Sequence, residues 1–304
     1  MHLLTMLAGR TGLREYLELT KPRITWLILL STAVGYFFGL PGAGNWPDFL
    51  KQIHPVSFLH AMLGTALIAS GTATLNQWIE READRKMCRT ANRPLPSGRL
   101  DARSALLFGI ALSVLGFAQL CLGVNLLTGL IGAFTLASYL FLYTPMKQRT
   151  WWSTTVGAIP GAMPPVIGYA ASAGRLTAGA WVLFLILFIW QFPHFYSIAW
   201  MYQDDYRRAG IRMLPVVEPD CRSTARQIVL YGLALIPVSL IPSMLGMSGR
   251  IYLMGASLLG LWFLSSGVRV ALDRTLVRAR GVLIASVLYL PLIYGLMLLD
   301  RPGL

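Results

Sequence analysis

Apolar residues run through the chain in long blocks separated by short polar stretches rich in arginine and lysine. A helix needs about 20 apolar residues to cross the hydrocarbon core of a bilayer. That window predicts nine spans, at 24–44, 56–79, 102–122, 124–143, 153–173, 179–202, 228–246, 251–272 and 280–299. Only Gly123 separates the third from the fourth, which predicts a tight helical hairpin. The fifth is the weakest, because Gly157, Pro160, Gly161, Pro164 and Pro165 interrupt it. Such a segment persists as a helix only where neighbours satisfy the freed backbone groups. Before the first span, Leu13–Arg23 alternates apolar and charged positions as an amphipathic helix lying along the interface does. The pattern predicts an all-α fold, a polytopic membrane bundle occupying 1–304 as one domain, with 1–23 as an N-terminal segment.

Composition agrees with lipid as the solvent. Hydrophobic residues make up 55% of the 304 and charged ones only 13%, about half the share usual in a soluble domain. The charge is unevenly placed. Counting Lys and Arg, 4 lie before the first span, 7 in 80–103, 2 in 144–152, 5 in 203–227 and 4 in or at the ends of the loop that joins the last two spans (Arg269, Arg274, Arg278 and Arg280). These 22 share one side, and the other side holds only Lys51, Arg175, Arg250 and Arg301. The positive-inside rule then puts the N-terminus in the cytoplasm and the C-terminus outside, in a cell (inner) membrane. A net charge of +13 would suit nucleic acid, but the basic residues fall between apolar runs and form no aromatic-interleaved basic face. No cleavable leader is expected, since Arg10, Arg14, Glu15, Glu18 and Lys21 break up the start. Cys88, Cys121 and Cys221 are widely spaced and read as free thiols.

The acidic residues gather on the basic side as well. Asn76, Glu80 and Asp84, in NQWIEREAD, end the second span. At spacing i, i+4, i+8, each step turns only about 40°, so the three share one helix face over about 12 Å. An oxygen-rich stripe at a helix mouth suits Mg²⁺, which takes few protein carboxylates and completes its shell with water and phosphate. The same residues would equally serve a solvated helix end paired with Arg81, Arg85 and Lys86. A second acidic pair, Asp204–Asp205, follows the sixth span. Both spans end on the same side, so the two groups can face one vestibule and hold divalent cations against a diphosphate. Arg89, Arg93, Lys147, Arg149 and Arg208 would then balance a departing diphosphate, or else act only as topology signals. An allylic cation would need an aromatic channel. Trp190, Phe192, Phe195, Tyr196 and Trp200 on the sixth span, with Tyr139, Phe141 and Tyr143 on the fourth, are its candidates. His194 lies inside the sixth span, where an ionisable residue points to function. It reads as a general base, an axial haem ligand, or a neutral histidine bonded to the backbone.

Five stretches, in order, carry a resemblance: YLELTKPRIT, NQWIEREADRKMCRTANRPLPSGRL, YTPMKQRTWWSTTVGAIPGAMPPVIGY, QFPHFYSIAW and DYRRAGIRMLPVV. Together they cover most of 14–217 and resemble the UbiA-type intramembrane prenyltransferases, most closely the subfamily that farnesylates haem. Spans seven to nine match only in hydropathy. The resemblance implies nine helices around a central cavity open to the cytoplasm. It also implies Mg²⁺-assisted ionisation of farnesyl diphosphate, capture of the farnesyl cation by a vinyl group of haem B, and addition of water to give haem O. By position, it implies that Asn76, Glu80, Asp84 and Asp205 act in catalysis and, with Asp204, bind metal. It implies that Arg89, Arg93, Lys147 and Arg149 contact the diphosphate and that His194 faces haem; Tyr202 and Tyr206, as substrate-binding candidates, offer hydrogen bonds to either the diphosphate or the porphyrin. A downstream haem A synthase or oxidase-assembly protein is an implied partner. Glu80 departs from the aspartate common in relatives, and Tyr202 and Tyr206 flank Asp204–Asp205 where the wider superfamily often has DxxxD. That departure leaves one Mg²⁺ or two open. Other acceptors, such as a quinone precursor or chlorophyll intermediate, and a transporter remain as alternatives. A transporter would place acids near the bilayer midplane, where this chain has none.

Overall fold

The computed structural model describes residues 12–42 and 46–302. It is helical throughout, with no strand among those residues. A short helix α1 covers residues 12–19. It is followed by α2 (Pro22–Gly39), α3 (Trp46–Lys51), α4 (Pro55–Arg85), α5 (Ala102–Gly123) and α6 (Leu126–Met146). Next come α7 (Ser153–Gly161), α8 (Pro164–Ala173), α9 (Ala178–Met201), α10 (Gln203–Arg208) and α11 (Leu214–Val217). Three long helices end the chain, α12 (Arg222–Met244), α13 (Arg250–Leu272) and α14 (Leu276–Leu299). Seven of these helices, α4, α5, α6, α9, α12, α13 and α14, are long and apolar enough to cross a membrane. Their outer faces expose large apolar side chains such as Leu122, Phe141, Ile251 and Leu272, as lipid-facing surfaces do.

Two of the nine predicted spans differ from the expectation. The first, expected at 24–44, is the 18-residue α2, ending at Gly39; residues 43 and 44 lie outside the described residues, as does the predicted N-terminal segment before residue 12. The fifth, expected as one helix over 153–173, is two helices with a break at Ala162–Met163. The cause is local. Pro164 and Pro165 bring no N–H donors, so the helix cannot continue through the carbonyls four residues earlier. The break is covered by α9, where buried Gln191 donates from Nε2 to the Ala158 carbonyl at 3.0 Å.

Small residues let α2 and α8 touch backbone to backbone. A Cβ on Gly168 would lie 1.8 Å from the Thr32 carbonyl oxygen, and one on Gly35 would lie 1.9 Å from that of Pro165. Without a hydrophobic drive inside lipid, close approach of this kind is a main source of helix association. In the other half of the bundle, Tyr252 donates to the Ser239 carbonyl (2.6 Å), and the Ser239 hydroxyl lies 2.8 Å from that of Tyr289. This buried network joins α12, α13 and α14.

The hairpin predicted around Gly123 is present, turning at Val124–Asn125, with Asn125 capping α6 through the Thr128 N–H (2.8 Å). Near its far end α6 widens into a π turn over Ser138–Tyr143. The reason is again a proline. Pro145 lacks an N–H and crowds the carbonyl four residues back, so the Thr144 N–H and hydroxyl both close on the Tyr139 carbonyl instead. The π turn delivers Tyr139, Tyr143, Thr144 and Lys147 to the end of α4.

Candidate active site

The site lies where α4 ends. Asn76 and Asp84 are buried, at 2% and 1% exposure. Asn76 donates from Nδ2 to the Thr144 hydroxyl at 3.2 Å, which leaves its amide oxygen for another partner. One turn on, a Glu80 carboxylate oxygen is 2.8 Å from Lys147 Nζ. Another turn on, Asp84 pairs with Arg93 at 2.7 Å. The stripe expected from the i, i+4, i+8 spacing is thus a row of three oxygen donors, two of them balanced by cations from other segments.

Those cations arrive by folded loops. After α4 the chain turns back on itself, held by the Thr90 hydroxyl on the Asp84 carbonyl (2.8 Å) and by the Asp84–Arg93 pair. The second acidic motif holds the same loop from outside. The Asp205 carboxylate accepts from the N–H groups of Cys88 (3.1 Å) and Arg89 (3.3 Å) and meets the Arg208 guanidinium. Burial pushes the Asp205 carboxyl up, but the Arg208 charge and these two N–H groups outweigh it and hold the group below the usual carboxylate range. Arg89 lies over the rings of Tyr202 and Tyr206, at 5.0 and 5.9 Å, and reaches the Tyr206 hydroxyl at 3.5 Å. Asp204 points outward, 2.7 Å from Arg207 on its own helix. Among the described residues no three acidic, histidine or cysteine side chains gather as a ready metal cage. The donor set that does fit Mg²⁺ is the α4 stripe, with one amide oxygen and two carboxylates, because that ion keeps several non-protein ligands.

Of the other expected residues, Arg149 is exposed, and its carbonyl accepts from Arg212 (3.4 Å). His194 takes no part in the charged cluster; it pairs with Ser286 on α14. Tyr139 and Tyr143 stand beside Lys147, whose Nζ is 4.5 Å from the Tyr143 ring centre. Phe192, Tyr196 and Trp200 are buried in the core, whereas Phe141, expected among the channel aromatics, is 73% exposed on the outer face. The π turn rotates it away.

Lys21 is the residue that reading the sequence missed. It precedes Pro22 in a left-handed conformation (φ 49°), which is uncommon for a side-chain-bearing residue and concentrates at functional sites. Burial, then the nearby charges of Arg93 and Lys147, lower its pKa to about 7, against a smaller opposing pull from Glu80 and Asp84. The signal was present in TKPR, a lysine fixed against a helix-starting proline. Lys21 also lines an apolar cavity of about 150 Å³ that runs inward between α2, α4, α6 and α8, past Thr65, Ile68, Tyr139, Pro164 and Ile167. The amphipathic α1 closes the site from the side, with Gln77 donating to the Leu19 carbonyl (2.8 Å) and Arg99 bonding Glu15 (2.6 Å) and Glu18 (3.0 Å).

Comparison with known proteins follows this architecture. The chain is 78% identical over 292 residues to a protein named protoheme IX farnesyltransferase from Solibacter usitatus (strain Ellin6076), covering 96% of this chain and all of that one. A protein of the same name from Koribacter versatilis (strain Ellin345) is 45% identical over 300 residues, covering 95% and 94%. Among solved structures, one concerning digeranylgeranylglyceryl phosphate synthase superposes with a TM-score of 0.76 at 16% identity, covering 96% of this chain and 99% of that one. A UbiA homologue from Archaeoglobus fulgidus bound to DMAPP and Mg²⁺ gives 0.64 at 17%, covering 93% and 99%. The profile of the UbiA prenyltransferase family matches residues 28–291, and with full-length relatives at this identity the chain belongs to that family.

Proposed function

We propose that the protein transfers the farnesyl group of farnesyl diphosphate to a vinyl group of haem B, with addition of water, giving haem O. One observation carries the reaction class: buried and half-buried ion pairs on one face of α4 stand at the head of an apolar cavity. A substrate with a doubly charged head and a hydrocarbon tail matches both halves. The acceptor rests on the full-length relatives, which are named for it.

Asn76, Glu80 and Asp84 would hold Mg²⁺, with Asp205 and Asp204 as the second acidic motif. Mg²⁺, when bound, neutralises charge on the diphosphate and makes it a better leaving group. Arg89, Arg93, Lys147 and Arg149 supply further positive charge to the departing oxygens, and Tyr202 and Tyr206 supply hydroxyls. The farnesyl C1–O bond breaks with its electron pair leaving on the diphosphate. The vinyl carbon of haem B then forms the new C–C bond. Water adds to the resulting cation and gives up a proton. The tail lies in the cavity beneath Lys21, where Tyr139 offers a ring face to the developing cation. Asp205 supports the site by fixing the loop that carries Arg89 and Arg93.

The whole chain acts as one membrane domain crossing nine times in a cell membrane, with α2 and the α7–α8 pair as the two crossings that fall short of a full apolar helix. The N-terminus and the site face the cytoplasm in this reading, which the 22-to-4 division of basic residues supports. A haem A synthase or oxidase-assembly protein would receive the product.

The test is product analysis by mass spectrometry on detergent-purified protein given haem B and farnesyl diphosphate, with Mg²⁺ or with EDTA. Haem O formed only with Mg²⁺ is the expected result, lost in Asp84→Ala. Diphosphate release with haem unaltered would overturn the acceptor and keep the reaction class.

A further inference from the structure

A second cavity, of about 320 Å³, opens on the outer face of the bundle between α13 and α14. It shares no lining residue with the cavity beneath Lys21. Behind it the two helices are held together by Phe263 and Tyr289, both buried, whose rings stack with centroids 5.2 Å apart. The groove therefore belongs to the packed bundle.

Its lining changes character along its length. Trp262 on α13 and Ile284 and Ala285 on α14 form one end. Arg269 and Arg278 form the other, beside the short turn that joins the two helices. Trp262 to Arg269, and Arg278 to Ala285, are each seven residues, about 10 Å of helix rise. Gly281 opens the middle of the groove. A Cβ built there would meet no neighbouring atom within 4 Å, so no close helix contact requires this glycine. Glycine within a helix is disfavoured relative to alanine. What its missing side chain leaves is open groove.

Residues 269–280 carry four arginines and one acidic residue, Asp273. Asp273 pairs with Arg278 at 3.1 Å, but both side chains are about half exposed, and such a pair contributes little. The charged end thus stays positive. The N-terminal end of α14, at Leu276, adds partial positive charge of its own. Topology signals account for arginines in a loop, but they need neither a groove beneath them nor a glycine to keep it open.

We propose that this groove binds an anionic glycerophospholipid, with its phosphate at Arg269 and Arg278 and the start of one acyl chain against Trp262, Ile284 and Ala285. A groove on a lipid-facing surface is filled by lipid in any membrane, and the two arginines select which lipid. Basic pockets between membrane helices hold anionic headgroups in this way, and guanidinium matches phosphate oxygens as a fork. About 10 Å from charged to apolar end suits a headgroup, its glycerol and the first few methylenes. The inference is independent of the acceptor and of the prenyl-transfer reaction.

The experiment is native mass spectrometry of delipidated full-length protein in neutral detergent at low ionic strength. The protein is offered equal amounts of phosphatidylglycerol and phosphatidylcholine with the same acyl chains. Wild type is expected to retain one phosphatidylglycerol in preference and to melt at a higher temperature with it. Arg269→Gln with Arg278→Gln should weaken that preference about 25-fold, at about fivefold for each arginine. Arg274→Gln with Arg280→Gln removes the same charge outside the groove and should leave the preference near wild type. Gly281→Leu fills the groove, keeps every charge and should lose the retained lipid. All of these positions are exposed, so each variant should keep the helical circular dichroism of wild type. Equal retention of the two lipids by wild type would overturn the proposal. Equal losses in the two double variants would also overturn it, since they would assign the effect to diffuse loop charge. A protein dimeric in lipid-free detergent but monomeric as Gly281→Leu would give the groove to a second copy of the chain. Displacement of the lipid by haem B would give it to haem, and either result overturns the proposal. Should the Arg269→Gln, Arg278→Gln protein fail to fold, Gly281→Leu decides alone, and wild-type retention there would overturn the proposal.

Discussion

Lys147 Nζ stands 2.8 Å from a Glu80 carboxylate oxygen, and the two side chains are only 13% and 14% exposed. Neither charge is well hydrated, so each depends on the other. Removing one partner of a buried pair is strongly destabilising, about 3–5 kcal/mol when burial is complete, because the remaining charge is left unmatched. Glu80→Gln is therefore expected to lower both activity and thermal stability, whereas Glu80→Gln with Lys147→Met should recover much of the stability and none of the activity. A double-mutant cycle on unfolding midpoints, run beside the haem O assay, measures both. Equal stability of the single and double variants would mean that the pair contributes nothing.

Glycine substitutions separate backbone contact from open surface. Gly168→Ala forces a methyl group to within 1.8 Å of the Thr32 carbonyl oxygen, and backbone cannot yield as a flexible side chain does. The α2–α8 contact must open, with a loss of at least about 3 kcal/mol, the upper range for overpacking. Gly281→Ala on α14 meets nothing within 4 Å, and alanine favours helix by about 1 kcal/mol. Purified yield and melting temperature should fall sharply for the first and hold or rise for the second. A Gly168→Ala protein as stable as wild type would show that the two helices can part freely.

How far the sequence could be read depends on what each feature needs. Hydropathy blocks are local, so seven long helices fell where the windows put them, and the charged stripe on α4 followed from helix geometry alone. The break in α7–α8 was flagged by its prolines, but whether neighbours would bridge it depends on Gln191, 33 residues along the chain from the Ala158 carbonyl it meets. The partners were the least legible part. Nothing in NQWIEREAD says that Glu80 meets Lys147 or that Asp84 meets Arg93, because such pairings are made by loop paths. Asp205 looked like a metal ligand by type, and the structure has it gripping the N–H groups of Cys88 and Arg89. Lys21 was read as part of an amphipathic surface segment, and only the fold reveals it buried beside the cluster.

Arg301 ties the end of α14 to the end of α2. Its guanidinium donates to the carbonyls of Phe37, Leu40 (2.6 Å) and Pro41 (3.3 Å), at the C-terminal end of α2. Helix C-termini attract cations, and hydrogen bonds to a charged group are worth about 1.5–3 kcal/mol each. Arg301→Ala is expected to cost about 2–3 kcal/mol, with Arg301→Lys recovering a minor part because an ammonium cannot span three acceptors as a planar fork does. Urea or thermal unfolding in detergent measures this. A lysine variant equal to wild type would argue that charge, not the fork, is what matters.

The lowered pKa of Lys21 makes a prediction with a definite sign. In the metal-free protein the folded-state value is about 7, against 10.5 for an ordinary lysine. Between these two values the unfolded chain carries a proton at Lys21 that the folded chain has released. Stability rises with pH wherever the unfolded state binds more protons. Wild type should therefore gain stability relative to Lys21→Met as pH rises from 7 toward 10.5, and the difference between them should be flat below 7. Melting temperatures of both proteins, recorded across that range in EDTA, provide the comparison. A constant difference from pH 7 to pH 10 would mean that Lys21 keeps its proton in the fold. Its burial would then be matched by the carboxylates of Glu80 and Asp84, and the cation at the head of the cavity would be permanent.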